Sequence, residues 1–169
     1  MAYITRGFYL FTDGKMYARV VVGGTFNRLH KGHKQILQAA FEIGRSVVIG
    51  LTSDEFASRF RVLETKPYRQ REKQINDYIK QQGKGKPCTI IQIDDSYGIT
   101  TLDPEIDCIV VSEETLLRAE EINAIRFKKE LSRISIHVIP IVLADDRKPI
   151  SGERISRGEI NEDGRVIVK

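Results

Sequence analysis

Short apolar runs alternate with amphipathic runs along most of the chain. The apolar runs are continuous and largely β-branched, as at 20–22 and 46–51, which is typical of strands buried on both faces. Between them, apolar residues recur at helical spacing, as at 36–41. The pattern predicts strands over 17–22, 46–51, 89–93, 108–111 and 134–142, and helices over 31–43, from 53, and over 69–82, 114–131 and 150–159. Gly44 is predicted to end the first helix as the glycine that follows its last turn.

The strict alternation of strands and helices predicts the class α/β, with a parallel sheet between two layers of helices. No internal repeat or linker divides the chain, so we expect one domain over 1–169, with 1–16 as an N-terminal extension of unknown role. Ligands of such sheets bind at the carboxyl ends of the strands. The loops after residues 22, 51, 93, 111 and 142 are therefore the places to look for a site.

Composition narrows the classes of function. No stretch of 18 apolar residues predicts a membrane span, and the two cysteines lack the spacing of a disulfide scaffold or zinc site, so we expect a cytoplasmic protein. The net charge of +4 over 169 residues is weak support for a nucleic-acid partner, and we expect neither nucleic acid nor membrane as a partner. Six Lys or Arg residues and two Glu residues lie within 59–73, which favours small anionic substrates.

The loop after the first strand holds the most informative motif, G-G-T-F-N-R-L-H-K-G-H at 23–33. It leads into a helix N-terminus, where unpaired N–H groups favour an anion. Gly24 allows a tight turn, and Gly32 leaves space for a phosphate. His30 and His33 are three residues apart and share a face of the first helical turn. Hydrogen-bonded structural histidines, or half of a metal site without a nearby third ligand, are the alternatives.

The H-x-G-H motif and the later I-S-x-x-x-I-x-x-G segment together resemble the nucleotidylyltransferases of the HxGH superfamily. The blocks at 49–56, 66–68, 94–98, 110–115 and 150–160 are most similar to archaeal-type phosphopantetheine adenylyltransferases. The resemblance implies a Rossmann-like, three-layer α/β/α fold with a five-stranded parallel sheet. It also implies reversible transfer of AMP from ATP to 4′-phosphopantetheine, giving dephospho-coenzyme A and pyrophosphate, by in-line attack on the α-phosphate. Mg²⁺ would be held mainly by the ATP phosphates, and we expect a monomer.

The same resemblance implies residue roles. His33 would contact the α-phosphate, His30 the neighbouring phosphates, and Lys66 the phosphate of the acceptor. The other residues implied in ATP binding are Thr25, Phe26, Gly32, Ser112, Glu113, Ser151 and Arg154. The residues implied in binding the acceptor are Thr25, Lys66, Arg69, Asn123 and Arg126.

Each weaker assignment has a structural alternative. Lys66 could be a solvated loop residue, and Arg69 and Arg71 could form the polar face of their helix. Ser112 and Ser151 could be helix N-caps. Surface placement is the alternative for Asn123 and Arg126.

The sequence departs from the family pattern at two positions. Asn27 stands where the family usually has aspartate, and Glu153 where it usually has threonine or serine. A carboxylate beside a triphosphate would repel it, so either Glu153 points outward or the phosphates are held differently.

Other functions stay open at this point. The motif chemistry is shared by enzymes that use nicotinamide mononucleotide, flavin mononucleotide, or a sugar or polyol phosphate as acceptor. A non-catalytic nucleotide-binding module on the same fold is a further alternative. An RNA-binding domain has less support, because the chain has no basic strand motif rich in aromatic residues.

Overall fold

The computed structural model describes residues 14, 16–59, 64–83 and 85–167. The predicted extension over 1–16 therefore falls outside the described residues, except at Gly14 and Met16. The strands are β1 (Tyr17–Gly24), β2 (Gly44–Thr52), β3 (Cys88–Ile93), β4 (Cys108–Ser112) and β5 (Ser135–Ile139). The helices are α1 (Lys31–Ile43), α2 (Asp54–Arg59), α3 (Tyr68–Gln82), α4 (Leu116–Lys128) and α5 (Gly152–Ser156).

The five strands form one parallel sheet in the order β3-β2-β1-β4-β5. This confirms the predicted Rossmann-like fold with a five-stranded parallel sheet. β1 lies at the centre and pairs with β2 on one side and β4 on the other. The chain builds the sheet outward in opposite directions from β1, so the loops after β1 and β4 diverge and leave a crevice between them.

Alternate residues of β1 belong to two separate hydrophobic layers. Val20 and Val22 pack in the layer that includes Leu37 of α1 and Ile75 of α3, while Val21 packs in the layer of α4 on the other face. This period of two is what a strand buried on both faces requires. The sheet is therefore the middle layer of three, as predicted.

Several predicted helices and strands are longer than the observed ones. β5 ends at Ile139, because Pro140 cannot donate to the sheet. α4 follows a 3-10 turn over Glu113–Thr115 and ends at Lys128, and Glu130 has a positive φ of 59° beyond it. α5 spans only Gly152–Ser156. A second 3-10 turn, Gly98–Thr101, occupies the loop after β3, where no helix was predicted.

Gly44 has a different role from the predicted one. Its backbone is extended, with φ −96°, and it is the first residue of β2, so α1 leads into the strand without a loop. A Cβ here would lie 2.8 Å from the Ala40 carbonyl oxygen and 2.9 Å from Val20 Cγ2. Close packing therefore demands glycine at this position. The Nζ of Lys86 donates to the carbonyls of Phe41 and Gly44, satisfying acceptors at the end of α1.

Among the helices that the structure describes, none combines the length and the apolar character needed to cross a membrane.

Candidate functional site

A cavity of about 560 Å³ opens at the carboxyl ends of the strands, where β1 and β4 diverge. Its size is within the usual range for small-molecule sites. The loops after β1, β3, β4 and β5 contribute to its wall, together with residues of β2, α2 and α4. Side chains that the sequence singled out contribute to this wall: Thr25, Phe26, His30, His33, Ser112 and Ser151.

The turn at the end of β1 is built around the Phe26 ring. Phe26 has a positive φ of 47° and is almost fully buried, with its ring centroid 5.0 Å from that of His33. A Cβ on Gly24 would come within 3.1 Å of the Phe26 ring, and one on Gly32 within 3.1 Å of the His30 ring. Both glycines thus make room for aromatic rings. Gly32 also lies in the cavity wall, as the phosphate prediction requires.

The two histidines of the motif are stacked on each other. Their ring centroids are 3.8 Å apart with 22° between the planes. His33 Nδ1 lies 2.9 Å from the carbonyl oxygen of Arg28, which assigns the Nδ1 hydrogen to that bond. A hydrogen bond from Nε2 to an anion would require a proton on that atom as well.

His30 sits deeper than its neighbour, with 7% of its surface exposed. Burial is the main cause that lowers its pKa from 6.5 to about 4; Glu162 acts in the opposite direction and Lys34 in the same one. Its Nδ1 atom is buried and has no hydrogen-bond partner within the described residues. His30 is thus neutral near pH 7, and its imidazole would interact with a ligand through hydrogen bonds and not through a positive charge. An anion placed beside it would raise this pKa.

Arg71 is fully buried beneath the loops that border the cavity. Its guanidinium donates to the carbonyls of Lys66, Thr25 and Thr52, at 2.7 to 2.9 Å, and to the Asp54 carboxylate at 2.7 Å. The interpretation of Arg71 as part of a polar helix face is therefore wrong. The signal was its place four residues before the inward Ile75, which puts both on the buried stripe of α3.

Asn27 connects the same loop to the segment before α3. Its Oδ1 atom accepts from the Lys66 backbone N–H at 2.7 Å, and its Nδ2 donates to the Glu64 carbonyl at 3.1 Å. An aspartate could accept the first bond but could not donate the second. The departure from the family pattern thus has a structural reason in this chain, since the position needs a donor and an acceptor together.

The basic residues predicted to meet the acceptor lie outside the cavity wall. Lys66 is half-buried and Arg69 is exposed on α3, and neither side chain contributes to the wall. Arg61, in the basic stretch of 59–73, falls outside the described residues. Contact of Lys66 and Arg69 with the acceptor stays a prediction that would require their side chains to reorient.

Asn123 and Arg126 are both buried, which contradicts the surface placement and the substrate contact alike. The Asn123 amide exchanges two hydrogen bonds with the Ile134 backbone. Arg126 donates to the carbonyls of Ser132, Thr100 and Asp103. These side chains bind backbone at the foot of α4. Their role is structural because buried carbonyls there need donors.

The segment at α5 differs in part from its prediction. Ser151 lies in the cavity wall, and its hydroxyl also caps α5 by accepting from the Arg154 N–H at 3.3 Å. The Arg154 guanidinium is held by Asp146 and Glu159 and lies outside the wall. Contact of Arg154 with a phosphate stays a prediction that would require the guanidinium to leave these carboxylates.

The Glu153 carboxylate, which would repel a triphosphate beside it, points away from the cavity. It is more than half exposed and forms an ion pair with Arg157 one turn along. It contributes nothing to the cavity wall, so the carboxylate points outward and does not oppose a triphosphate there.

At the end of β4, only one of the two residues predicted to bind the nucleotide lies in the cavity wall. Ser112 lies in the wall and its side chain makes no capping bond to the following turn. The Glu113 carboxylate instead accepts from the Ile141 N–H at 3.0 Å, and Glu114 takes the place in the wall that Glu113 was predicted to have.

Comparison with known proteins identifies the family. The Cytidylyltransferase-like family matches residues 21–158. Phosphopantetheine adenylyltransferase from Methanothermobacter thermautotrophicus is 43% identical over 90% of this chain and 92% of its own length. The protein of the same name from Methanopyrus kandleri is 42% identical over 86% of this chain and 92% of its own.

A solved structure from Archaeoglobus fulgidus, described as a protein of unknown function, is also similar. It superposes with a TM-score of 0.65 and 34% identity, covering 71% of this chain and 87% of that one. Fold, motif and identity over most of the length agree. The chain therefore belongs to the cytidylyltransferase-like family and, within it, to the phosphopantetheine adenylyltransferases.

Proposed function

We propose that the protein reversibly transfers AMP from ATP to 4′-phosphopantetheine, giving dephospho-coenzyme A and pyrophosphate. The observation that carries the proposal is the stacked pair of His30 and His33 in the cavity wall, in a chain of this family. Phosphoryl chemistry of this kind needs positioning and charge stabilisation more than bond-making side chains. The loop after β1 supplies these from hydroxyl, imidazole and backbone groups.

The substrates divide the cavity between them in this proposal. The nucleotide lies toward β4 and β5, beside Ser112 and Ser151, and the acceptor lies toward β2 and β3, beside Tyr97. The α-phosphate then falls between the two, at the loop after β1. The apolar wall on the acceptor side, which includes Ile91 and Ile93, suits an uncharged chain more than a second nucleotide.

The chemical step has one bond formed and one broken. An oxygen of the 4′-phosphate attacks the α-phosphorus in line, and the bond from that phosphorus to the bridging oxygen breaks. The bridging oxygen keeps the electron pair and leaves on pyrophosphate. His33 Nε2 donates a hydrogen bond to the α-phosphate as charge develops there, while the Arg28 carbonyl holds the ring in orientation through Nδ1. The acceptor phosphate is already ionised near pH 7, so no general base is needed.

Mg²⁺ is part of the proposal as a partner of ATP. When bound, it offsets the charge of the phosphate oxygens as a Lewis acid. Within the described residues, no group of three or more His, Cys, Asp or Glu side chains is placed to hold a metal ion. Asp95 and Glu114 are the carboxylates of the wall. A donor set this sparse fits an ion that arrives on the phosphates of ATP.

The setting of the reaction completes the proposal. We propose a cytoplasmic monomer whose partners are these two small molecules, without a nucleic acid or membrane. Light scattering on a sizing column measures the mass of the particle, and a dimer would contradict the monomer.

An assay of pyrophosphate release tests the function. The purified protein is incubated with ATP, Mg²⁺ and one of three acceptors: 4′-phosphopantetheine, nicotinamide mononucleotide or flavin mononucleotide. We expect release with the first alone, and release with a mononucleotide alone would refute the proposal. Tight ATP binding without turnover on any acceptor would instead indicate a nucleotide-binding module.

The catalytic histidine is tested by one substitution and one control. We expect His33→Ala to keep the fold and lose about 10²-fold or more in kcat, because a contact to developing charge is removed. His137 lies in β5, outside the cavity wall, and His137→Ala is the control for loss of an imidazole elsewhere. Equal turnover by His33→Ala and the unmodified protein would show that His33 has been wrongly assigned.

A further inference from the structure

Arg28 is a cation of the cavity wall to which neither the sequence motif nor the family resemblance assigned a role. It lies in the loop after β1, two residues before His30. Its backbone carbonyl orients His33, as described above. Its guanidinium reaches the C-terminal part of the chain, where Nε donates to the Ser156 hydroxyl at 3.3 Å and Nη1 lies 3.7 Å from the Glu162 carboxylate.

Two arginines of the C-terminal segment, Arg154 and Arg157, are already paired. Arg154 is held by Asp146 and Glu159, and Arg157 by Glu153. The pairs of Arg154 and Arg157 are shorter than that of Arg28 with Glu162. None of these residues contributes to the cavity wall.

The cavity wall itself offers few positive charges. In the part of the chain that the structure describes, its arginines are Arg28 and Arg118, and it holds no lysine. Arg118 stacks over the Tyr97 ring at 5.3 Å and pairs with Glu121 on its own helix. Burial keeps His30 uncharged near pH 7. Few positively charged side chains in the wall could therefore bind a polyphosphate. Arg28 is the one that lies in the same loop as the histidine motif.

The ion pair of Arg28 is loose enough to be exchanged. Its side chain is 37% exposed and that of Glu162 is 49% exposed, and a 3.7 Å pair at the surface is weak. A phosphate group accepts two parallel hydrogen bonds from a guanidinium, which is stronger and more directional than this contact. A polyphosphate would therefore displace Glu162 as the partner of Arg28.

We propose that Arg28 is a catalytic residue that leaves Glu162 to bind the β- and γ-phosphates of ATP and the departing pyrophosphate. This inference rests on the proposed function for the identity of the leaving group. As the bond between the α-phosphorus and the bridging oxygen breaks, the electron pair and the negative charge pass to pyrophosphate. A guanidinium on that group stabilises the charge where it accumulates.

Three variants separate this role from a structural one. Arg28→Met removes the charge and keeps much of the side-chain length, and Arg28→Lys keeps the charge without the fork. Glu162→Gln removes the present partner of Arg28. Arg133→Met is the matched control, because Arg133 pairs with Glu120 at a similar 3.9 Å, is largely exposed and lies outside the cavity wall.

Kinetics in both directions give the expected pattern. Loss of one charged contact to the leaving group lowers the forward kcat of Arg28→Met by about 10²-fold. In the reverse reaction, its KM for pyrophosphate rises about tenfold, because a charge-assisted hydrogen bond to that group is lost. In the forward reaction, its KM for 4′-phosphopantetheine stays within about twofold, because Arg28 does not contact the acceptor. Arg28→Lys recovers part of the loss. Arg133→Met behaves as the unmodified protein does.

The Glu162→Gln variant tells whether Arg28 binds pyrophosphate or only holds the C-terminal segment against the loop. If Arg28 binds pyrophosphate, releasing it from Glu162 leaves the KM for pyrophosphate unchanged or lowers it. If Arg28 only fastens the C-terminal segment to the loop, Glu162→Gln reproduces the defect of Arg28→Met, and the proposal is overturned. Unchanged kcat and unchanged KM for pyrophosphate in Arg28→Met would overturn it as well.

Direct binding keeps this test independent of turnover. Calorimetric titration with Mg²⁺-pyrophosphate measures the affinity of the unmodified protein, Arg28→Met, Arg28→Lys and Arg133→Met. We expect weaker binding in Arg28→Met than in the control, and equal affinities would refute the assignment of Arg28. If the unmodified protein binds pyrophosphate through Arg28 but transfers no AMP to any acceptor, the proposed function fails and the assignment of Arg28 as the pyrophosphate ligand holds.

Discussion

The buried histidine of the motif makes the stability of this protein depend on pH. His30 has an ordinary pKa of 6.5 when unfolded, and burial lowers it to about 4 in the folded protein. Between these values the unfolded chain binds a proton that the folded chain does not. The stability that comes from keeping His30 neutral is fully present above pH 6.5 and is lost as the pH falls toward 4. His30→Gln removes it, because a neutral amide cannot titrate.

The size of the effect follows from the two pKa values. A difference of this size corresponds to about 3 kcal/mol at most, once the pH is below both values. Between pH 7.5 and pH 5, the linkage relation gives a loss of about 2 kcal/mol in the free energy of unfolding from His30 alone. The pKa of His137 is also lowered by burial, and its contribution has the same sign. That contribution is the same in the unmodified protein and in His30→Gln and cancels in their comparison.

Urea unfolding at pH 7.5, 6 and 5 measures the effect. The chain has no tryptophan, so far-UV circular dichroism is the suitable probe. We expect the loss of stability on acidification to be about 2 kcal/mol smaller in His30→Gln than in the unmodified protein. Equal losses in the two proteins, within about 0.5 kcal/mol, would refute a buried neutral His30. NMR titration gives a direct check, because the chain has only three histidines.

Three further predictions concern residues whose side chains bind backbone carbonyls. Asn27→Asp should cost about 1–3 kcal/mol in the free energy of unfolding, because the Glu64 carbonyl loses its donor and a carboxylate is buried. Asn27→Ser adds no buried charge and should cost less, and urea unfolding measures the difference. Arg71→Met should cost about 3–5 kcal/mol by the same measurement, since it leaves the carbonyls of Lys66, Thr25 and Thr52 without their donor, and a loss below about 1 kcal/mol would contradict this role. Lys86→Met should lower stability by about 2 kcal/mol through the carbonyls at the end of α1, with Lys80→Met, an exposed lysine on α3, as the control.

The sequence was sufficient for the order and type of the main elements. The helix over 31–43 and the strands around it were predicted because periodicity and β-branched runs are local properties. The boundaries near Pro140 and Glu130 were less accurate, because an apolar pattern continues past the point where the backbone changes direction. The 3-10 turn of Gly98–Thr101 has no periodic signature of its own.

The site was predictable where a motif carried it and unpredictable where long-range pairing decided it. His30 and His33 lie in the cavity wall as their motif suggested. Arg126 and Arg154, by contrast, are engaged by groups that no local pattern reveals: carbonyls of 100–103 for the first, and Asp146 for the second. A cation near a predicted phosphate site can serve the ligand or the backbone, and only the tertiary structure decides which.

The central position of β1 has a consequence for how the protein is made. β1 pairs with β2, which follows directly after α1, but it also pairs with β4. The Asp107 carboxylate, just before β4, accepts from the Arg19 N–H 88 residues away. The histidine loop is thus synthesised early, whereas the opposite wall of the cavity arrives only with the second half of the chain. Closing so long a loop is slow compared with local pairing. We therefore expect the nascent half-sheet to expose one edge of β1 during translation, and the cavity to be complete only after β4 and β5 have docked.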